Sequence, residues 1–136
     1  MENKNRGLLK MIFSYLEKGD DKLFWSYFSD DVTWVVEGTH PLAGKYKSLI
    51  EFKKEAFDRL QHVLASPIKF KVREILVDGS RGVIVMDGDS TSKNGRSFHN
   101  RNCWIVDIVN DKIDRVDTFL DTEVIADLFA EVEVRR

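Results

Sequence analysis

The chain has 136 residues, the length of one domain, and at that size it buries roughly two-thirds of its unfolded surface, enough for a core of its own. Hydrophobic residues make up 43% and charged residues 32%, with both signs interspersed and a formal net charge of −2, so no basic face argues for nucleic acid. The single cysteine, Cys103, excludes an internal disulfide and makes no metal site; a reducing cytoplasm is the expected compartment, with no signal peptide and no membrane span.

Leu8, Leu9, Ile12, Phe13 and Leu16 recur at helical spacing and stop at Gly19. Asp20 or Asp21 then caps a short second helix with Leu23, Phe24, Tyr27 and Phe28 as its apolar face, closed by Asp30-Asp31. Val32 to Glu37 reads as a strand with Trp34 and Val36 on one face. The stretch from Gly38 to Gly44 is a structured loop, because two glycines and Pro41 break any regular element. Ser48 and Glu51 make a capping box ahead of a third helix. Its apolar stripe is Leu49, Phe52, Ala56, Phe57, Leu60, Val63 and Leu64, and Ser66-Pro67 ends it.

Four strands follow: Ile68 to Val77, Gly82 to Ser90, Phe98 to Val109 and Ile113 to Leu120. The turns between them fall at Asp78-Gly79, Asn94-Gly95 and Asn110-Asp111. Asp-Gly and Asn-Gly favour the positive φ angles of tight hairpins, so these strands should be antiparallel neighbours. A final helix runs over about 122–132, and residues 131–136 read as a fraying end. No repeat or linker divides the chain, so residues 1–136 are expected to form one α+β domain with helices covering one face of a curved sheet. Asn100, Asn102, Trp104 and Val106 alternate with Arg101, Cys103, Ile105 and Asp107. With the first row inward, Cys103 and Ile105 face outward, which points to a homodimer through the outer sheet face.

Three phrases in this order carry a resemblance. EKGDDKLFWSYFSDDVTW (17–34), EGTHPLAGKYKS (37–48) and NGRSFHNRNCWIV with NDKIDRVDTFLDT (94–106 and 110–122) resemble the opening, the loop before the third helix and the last two strands of the nuclear transport factor 2-like superfamily, in its SnoaL-like, ketosteroid isomerase-like branch. The resemblance covers about Leu8 to Phe129. It implies a cystatin-like conical barrel: a mixed, mostly antiparallel sheet wrapped by three to four helices around a pocket. It also implies a common homodimeric state and, often, no metal and no cofactor; none is expected here. Members include isomerases, epoxide hydrolases, polyketide cyclases, dehydratases and plain binding modules, so the fold alone leaves the reaction open.

The resemblance puts an acid/base aspartate at Asp121, which ends the last strand. A carboxylate beside apolar walls can shuttle a proton, but Asp121 also sits where it can cap the final helix. Asp87 matches a second acid of the epoxide hydrolases; the arginine those enzymes carry two residues earlier is Val85 here. The ketosteroid isomerase base falls on Val36, its oxyanion tyrosine on Ile12 and its second acid near Asn102 or Cys103, so that chemistry is not expected. Asn102, with Asn100, can hydrogen-bond a ligand carbonyl or hold Asp121. The resemblance also puts His40 in the loop that closes the wide end, where it can act near pH 7. His62 is peripheral, His99 faces outward, and the three histidines lack metal-ligand spacing. Tyr27, Phe28, Trp34, Val36, Phe57, Trp104 and Phe119 are the expected pocket walls.

Two functions remain open. One is a cofactor-independent acid/base enzyme of the isomerase, cyclase, hydratase or hydrolase class acting on a small apolar molecule. The other is a non-catalytic binding or association module of the same fold.

Overall fold

The computed structural model describes residues 2–132. In α1 (Glu2–Lys18), Leu9, Ile12, Phe13 and Leu16 share one face and all four are buried. Gly19 at φ +76 ends it, and the Asp20 carboxylate accepts from the Leu23 N–H at 3.4 Å to start α2 (Asp21–Ser26). This helix is shorter than its apolar spacing suggests. Tyr27 closes it rather than lying on its face, and Phe28 opens β1 (Phe28–Val36). Asp30 and Asp31 therefore lie within the strand, exposed, where its pairing shifts between Phe28 and Thr33.

After the loop comes β2 (Gly44–Tyr46), a short strand that the sequence reading missed. The Ser48 hydroxyl accepts from the Glu51 N–H at 3.0 Å and starts α3 (Leu49–Phe52). A π-helical turn (Lys53–Phe57) and α4 (Asp58–His62) continue it. In a regular α-helix Phe52 and Phe57 would lie about 140° apart. The wider turn brings them toward one face.

The remaining elements are β3 (Lys69–Asp78), β4 (Arg81–Thr91), β5 (Ser97–Val109), β6 (Lys112–Leu120) and α5 (Thr122–Val132). The expected fraying end at 131–136 falls mainly on residues 133–136, which lie outside the described residues; Glu131 and Val132 close α5. The six strands form one curved sheet in the order β2-β1-β6-β5-β4-β3. Its neighbours are antiparallel except β1 and β6, which run parallel. Asn110 and Asp111 both have positive φ, 52° and 62°, in the tight turn between β5 and β6.

Helices cover the inner face of the sheet. Phe24, Trp25, Phe28, Trp34 and Trp104 gather there, and Trp34 stacks on Phe52 with ring centroids 3.6 Å apart. Each such aromatic pair adds about 0.5–1.5 kcal/mol beyond its buried area. α1 lies close on the sheet at Gly82, where a methyl group would come within 2.3 Å of Leu9 Cδ1.

On the outer face, Leu76, Val83, Val85, Cys103, Ile105 and Phe119 form cross-strand apolar rows. One end of these rows is bounded by Asp87 with Arg73 and Arg101. The other is bounded by the Arg81–Asp107 and Arg115–Asp117 pairs.

Candidate functional site

On the inner face, between the α3–α4 rod, α5 and the strands, lies an apolar cavity of about 60 Å³. Phe52, Ala56, Phe57 and Leu60 wall it from the rod, while Val36 and Leu42 come from β1 and the following loop. The strands add Phe70, Gly88, Phe98, Asn100, Asn102, Trp104, Thr118 and Leu120; Ile68 and Ile125 complete the lining. The space beside Gly88 depends on its missing side chain, since a Cβ there would meet Ile68 at 3.0 Å. No lining residue is titratable. The polar side-chain groups are two amides, one hydroxyl and the Trp104 indole N–H.

Each of these is already oriented by a neighbour. Asn100 Oδ1 accepts from the Asp121 N–H at 2.8 Å, and its Nδ2 donates to the Asp121 carbonyl at 3.1 Å. Asn102 Nδ2 donates to the Asn100 carbonyl at 3.1 Å, and its Oδ1 accepts from Trp104 Nε1 at 3.4 Å. Thr118 Oγ1 accepts from Trp34 Nε1 at 2.8 Å. Each buried polar side-chain atom among the described residues has a partner.

Of the expected pocket walls, Val36, Phe57, Asn100, Asn102 and Trp104 line the cavity. Phe28 and Trp34 are buried in the aromatic core behind it. Tyr27 is half-buried and stacks on Tyr15 with centroids 6.1 Å apart, while Trp25, two residues earlier, is buried. The helix ends before Tyr27, so helical spacing does not govern where that ring points. Phe119 faces outward at 44% exposure, because it pairs with Cys103 while Leu120 pairs with Asn102. Sequence reasoning missed Thr118, whose period-two relation to the core residue Val116 is the signal that would have found it.

The three expected acid/base residues lie outside the cavity lining. The Asp121 side chain is exposed, and its Oδ1 accepts from the Val124 N–H at 3.4 Å as the cap of α5. Asp87 is on the opposite sheet face. A two-residue turn at Asn94-Gly95 would set it across from the inward Asn102. The loop instead spans 92–96 and sets it across from Arg101. There Asp87 is buried under two guanidinium groups: Arg101 Nε donates to Oδ1 at 2.8 Å, and Arg73 Nε donates to Oδ2. Arg73 reaches it from a bulge that shifts the pairing between Val72 and Glu74. These hydrogen bonds, Arg101 first and then Arg73, hold the Asp87 carboxyl well below the usual carboxylate range.

His40 is buried but works as a staple of its loop. Its Nδ1 accepts from the Leu42 N–H at 3.2 Å, which leaves Nε2 to donate to the Glu37 carbonyl at 3.0 Å. The Tyr46 hydroxyl donates to the Leu42 carbonyl at 2.8 Å, so Leu42 is fixed at the cavity wall from both sides. Burial pushes the Tyr46 phenol up, so it is a donor at neutral pH. Arg59 donates to the Pro41 carbonyl and lies over the Phe129 ring, tying the loop to α5. Among the described residues, no three His, Cys, Asp or Glu side chains are grouped to hold a metal, and no helix is long and apolar enough to cross a membrane.

A curved mixed sheet folded with helices around an inner apolar cavity is the architecture of nuclear transport factor 2-like proteins. One such protein, from Burkholderia thailandensis, superposes with a TM-score of 0.79 at 21% identity, over 92% of this chain and 96% of its own. A Xanthomonas campestris protein of unknown function with a cystatin-like fold also gives 0.79, at 17% identity, over 91% and 96%. TerC, co-crystallised with polyporic acid, gives 0.75 at 21% identity, over 94% and 96%. Within this class the SnoaL-like domain matches residues 10–116, and the chain belongs to that family. No curated protein matches it.

Proposed function

We propose that this protein binds a small, uncharged, largely apolar molecule in the inner cavity and does not itself move a proton there. The observation that carries this reading is the cavity wall: apolar side chains, two amides, a hydroxyl and an indole N–H, with no titratable group. The engagement of Asp121, Asp87 and His40 in other contacts supports this reading over that of an acid/base enzyme. TerC, of the same fold, was co-crystallised with a small molecule, which supports this use of the architecture. An apolar cavity of about 150 Å³ holds benzene. A ring-sized ligand here therefore requires side chains around the cavity to move aside.

The test is titration with benzene and cyclopentane, followed by tryptophan fluorescence and thermal unfolding. Binding should quench or shift Trp104 emission and raise Tm. Gly88→Val, which fills the space, should abolish both effects. Indifference of the wild type to every small apolar probe would end the proposal.

We further propose that two copies associate through the outer sheet face. The apolar rows containing Leu76, Ile105 and Phe119, bounded at both ends by satisfied ion pairs, suit a self-complementary contact. A reducing cytoplasm remains the compartment that suits the lone thiol of Cys103.

A further inference from the structure

The cavity's polar atoms differ in what they still have to offer. Asn100 is occupied on both its oxygen and its nitrogen by the Asp121 backbone. Asn102 has given one N–H to the Asn100 carbonyl, and its oxygen accepts from Trp104. Thr118 is different. Its oxygen accepts the Trp34 indole N–H at 2.8 Å, and among the described residues no acceptor takes its own hydroxyl hydrogen. The residue is only 4% exposed and lines the cavity, so that hydrogen has no partner among the described residues and is shielded from bulk water. A hydroxyl already accepting one hydrogen bond becomes a better donor. The unspent capacity of the cavity is thus chiefly that of a donor: the Thr118 O–H on one strand and the second N–H groups of Asn100 and Asn102 on the same face of the adjacent one.

We infer that the cavity selects a neutral compound carrying a hydrogen-bond-accepting oxygen, such as a ketone, aldehyde, ester or ether, and that Thr118, oriented by Trp34, donates to that oxygen. This specificity rests on the binding reading above. Carboxylates and ammonium groups are excluded because the wall holds no countercharge for a buried ion. A plain hydrocarbon fits the shape but leaves the Thr118 donor unanswered.

The experiment compares cyclopentanone with methylenecyclopentane, which has nearly the same shape with a CH₂ in place of the oxygen. Affinities are measured by titration and by the NMR signal of the Trp34 indole N–H. Wild type should prefer the ketone by roughly three- to tenfold. The ketone, and not the hydrocarbon, should move the Trp34 indole proton downfield, because donation by Thr118 strengthens its acceptance from Trp34. Thr118→Ser should keep the preference, and Thr118→Val should lose it while still binding the hydrocarbon. Equal affinity for the two probes in wild type would overturn this inference and leave the binding reading standing. A preference that survives in Thr118→Val would overturn the assignment to Thr118. Binding of neither probe would remove both readings together. If Thr118→Val does not fold, the wild-type indole signal decides: an equal shift with both probes overturns the inference.

Discussion

Asn100 grips the backbone of Asp121 at two points, accepting from its N–H at 2.8 Å and donating to its carbonyl at 3.1 Å. The clamp fixes the junction between β6 and α5, and from there the Asp121 carboxylate turns to the Val124 N–H. The two residues named as site partners are thus joined structurally, with the amide serving the main chain of the aspartate.

The first expectation concerns this junction. Asn100→Ala removes two partly buried hydrogen bonds and should cost about 2–3 kcal/mol in urea unfolding. Asp121→Ala should cost about 1 kcal/mol through the lost cap, and Asp121→Asn much less, since asparagine caps equally well. A large loss of ligand binding in Asp121→Asn, with stability intact, would contradict the role assigned to it here.

Asp87 contributes to the acid limb of stability. Its folded pKa is depressed by Arg101 and then Arg73, so its contribution is fully present above the unfolded value of about 3.9 and is lost as pH falls through the folded value. The stability difference between wild type and Asp87→Asn should therefore be constant from pH 7 to about pH 5. It should shrink only as the pH falls below about 4. Unfolding curves across pH 2–7 check this, and a difference that grows on acidification would be incompatible with the ion cluster.

At Gly82, an added methyl meets Leu9 Cδ1 at 2.3 Å, and both residues are buried. Gly82→Ala should destabilise by about 1–3 kcal/mol, with α1 displaced from the sheet. Gly79→Ala is no control, because Gly79 has φ +64. Gly7→Ala is the suitable one: Gly7 sits in α1 with nothing within 4 Å of its added methyl, and the change should be neutral or slightly stabilising.

The outer face makes a prediction about assembly. Phe119→Asp places a charge in the middle of the apolar rows without touching the cavity. Light scattering at micromolar concentration should show a dimer for wild type and a monomer for the variant, with the fold unchanged by circular dichroism. A wild-type monomer would remove the dimer proposal.

Much of the architecture was legible in the chain because local chemistry and tertiary structure agree. The Ser48 cap, the Gly19 stop and the Asn110-Asp111 turn each state their geometry in residues that adopt it at little cost. The inward row of Asn100, Asn102 and Trp104 followed from period-two alternation once one aromatic was set inside. β2 was not legible, since its pairing with β1 is imposed from outside and three residues carry no pattern of their own. Asp87 shows the sharper limit. The dipeptide Asn94-Gly95 marks a turn, but not how many residues flank it, and one residue of register moves a side chain through the sheet. Asp121 was ambiguous because a strand-end carboxylate before a helix serves capping and catalysis with the same residue type; only the direction of its oxygen distinguishes them.

The π-turn at Lys53–Phe57 gives the cavity a property of a different kind. A wide turn is what a helix becomes when it absorbs one extra residue and keeps both ends in place. Regularising this turn at unchanged chain length would swing Phe57 away from Phe52, whereas removing one residue from it would leave the two four apart in a regular α-helix, about 40° round the axis and still on one face. The shape of the binding space is therefore written partly in chain length. A deletion at Lys53, Lys54 or Glu55 is thus a change that keeps Phe52 and Phe57 together, with no substitution in the wall and no change to the sheet that carries it.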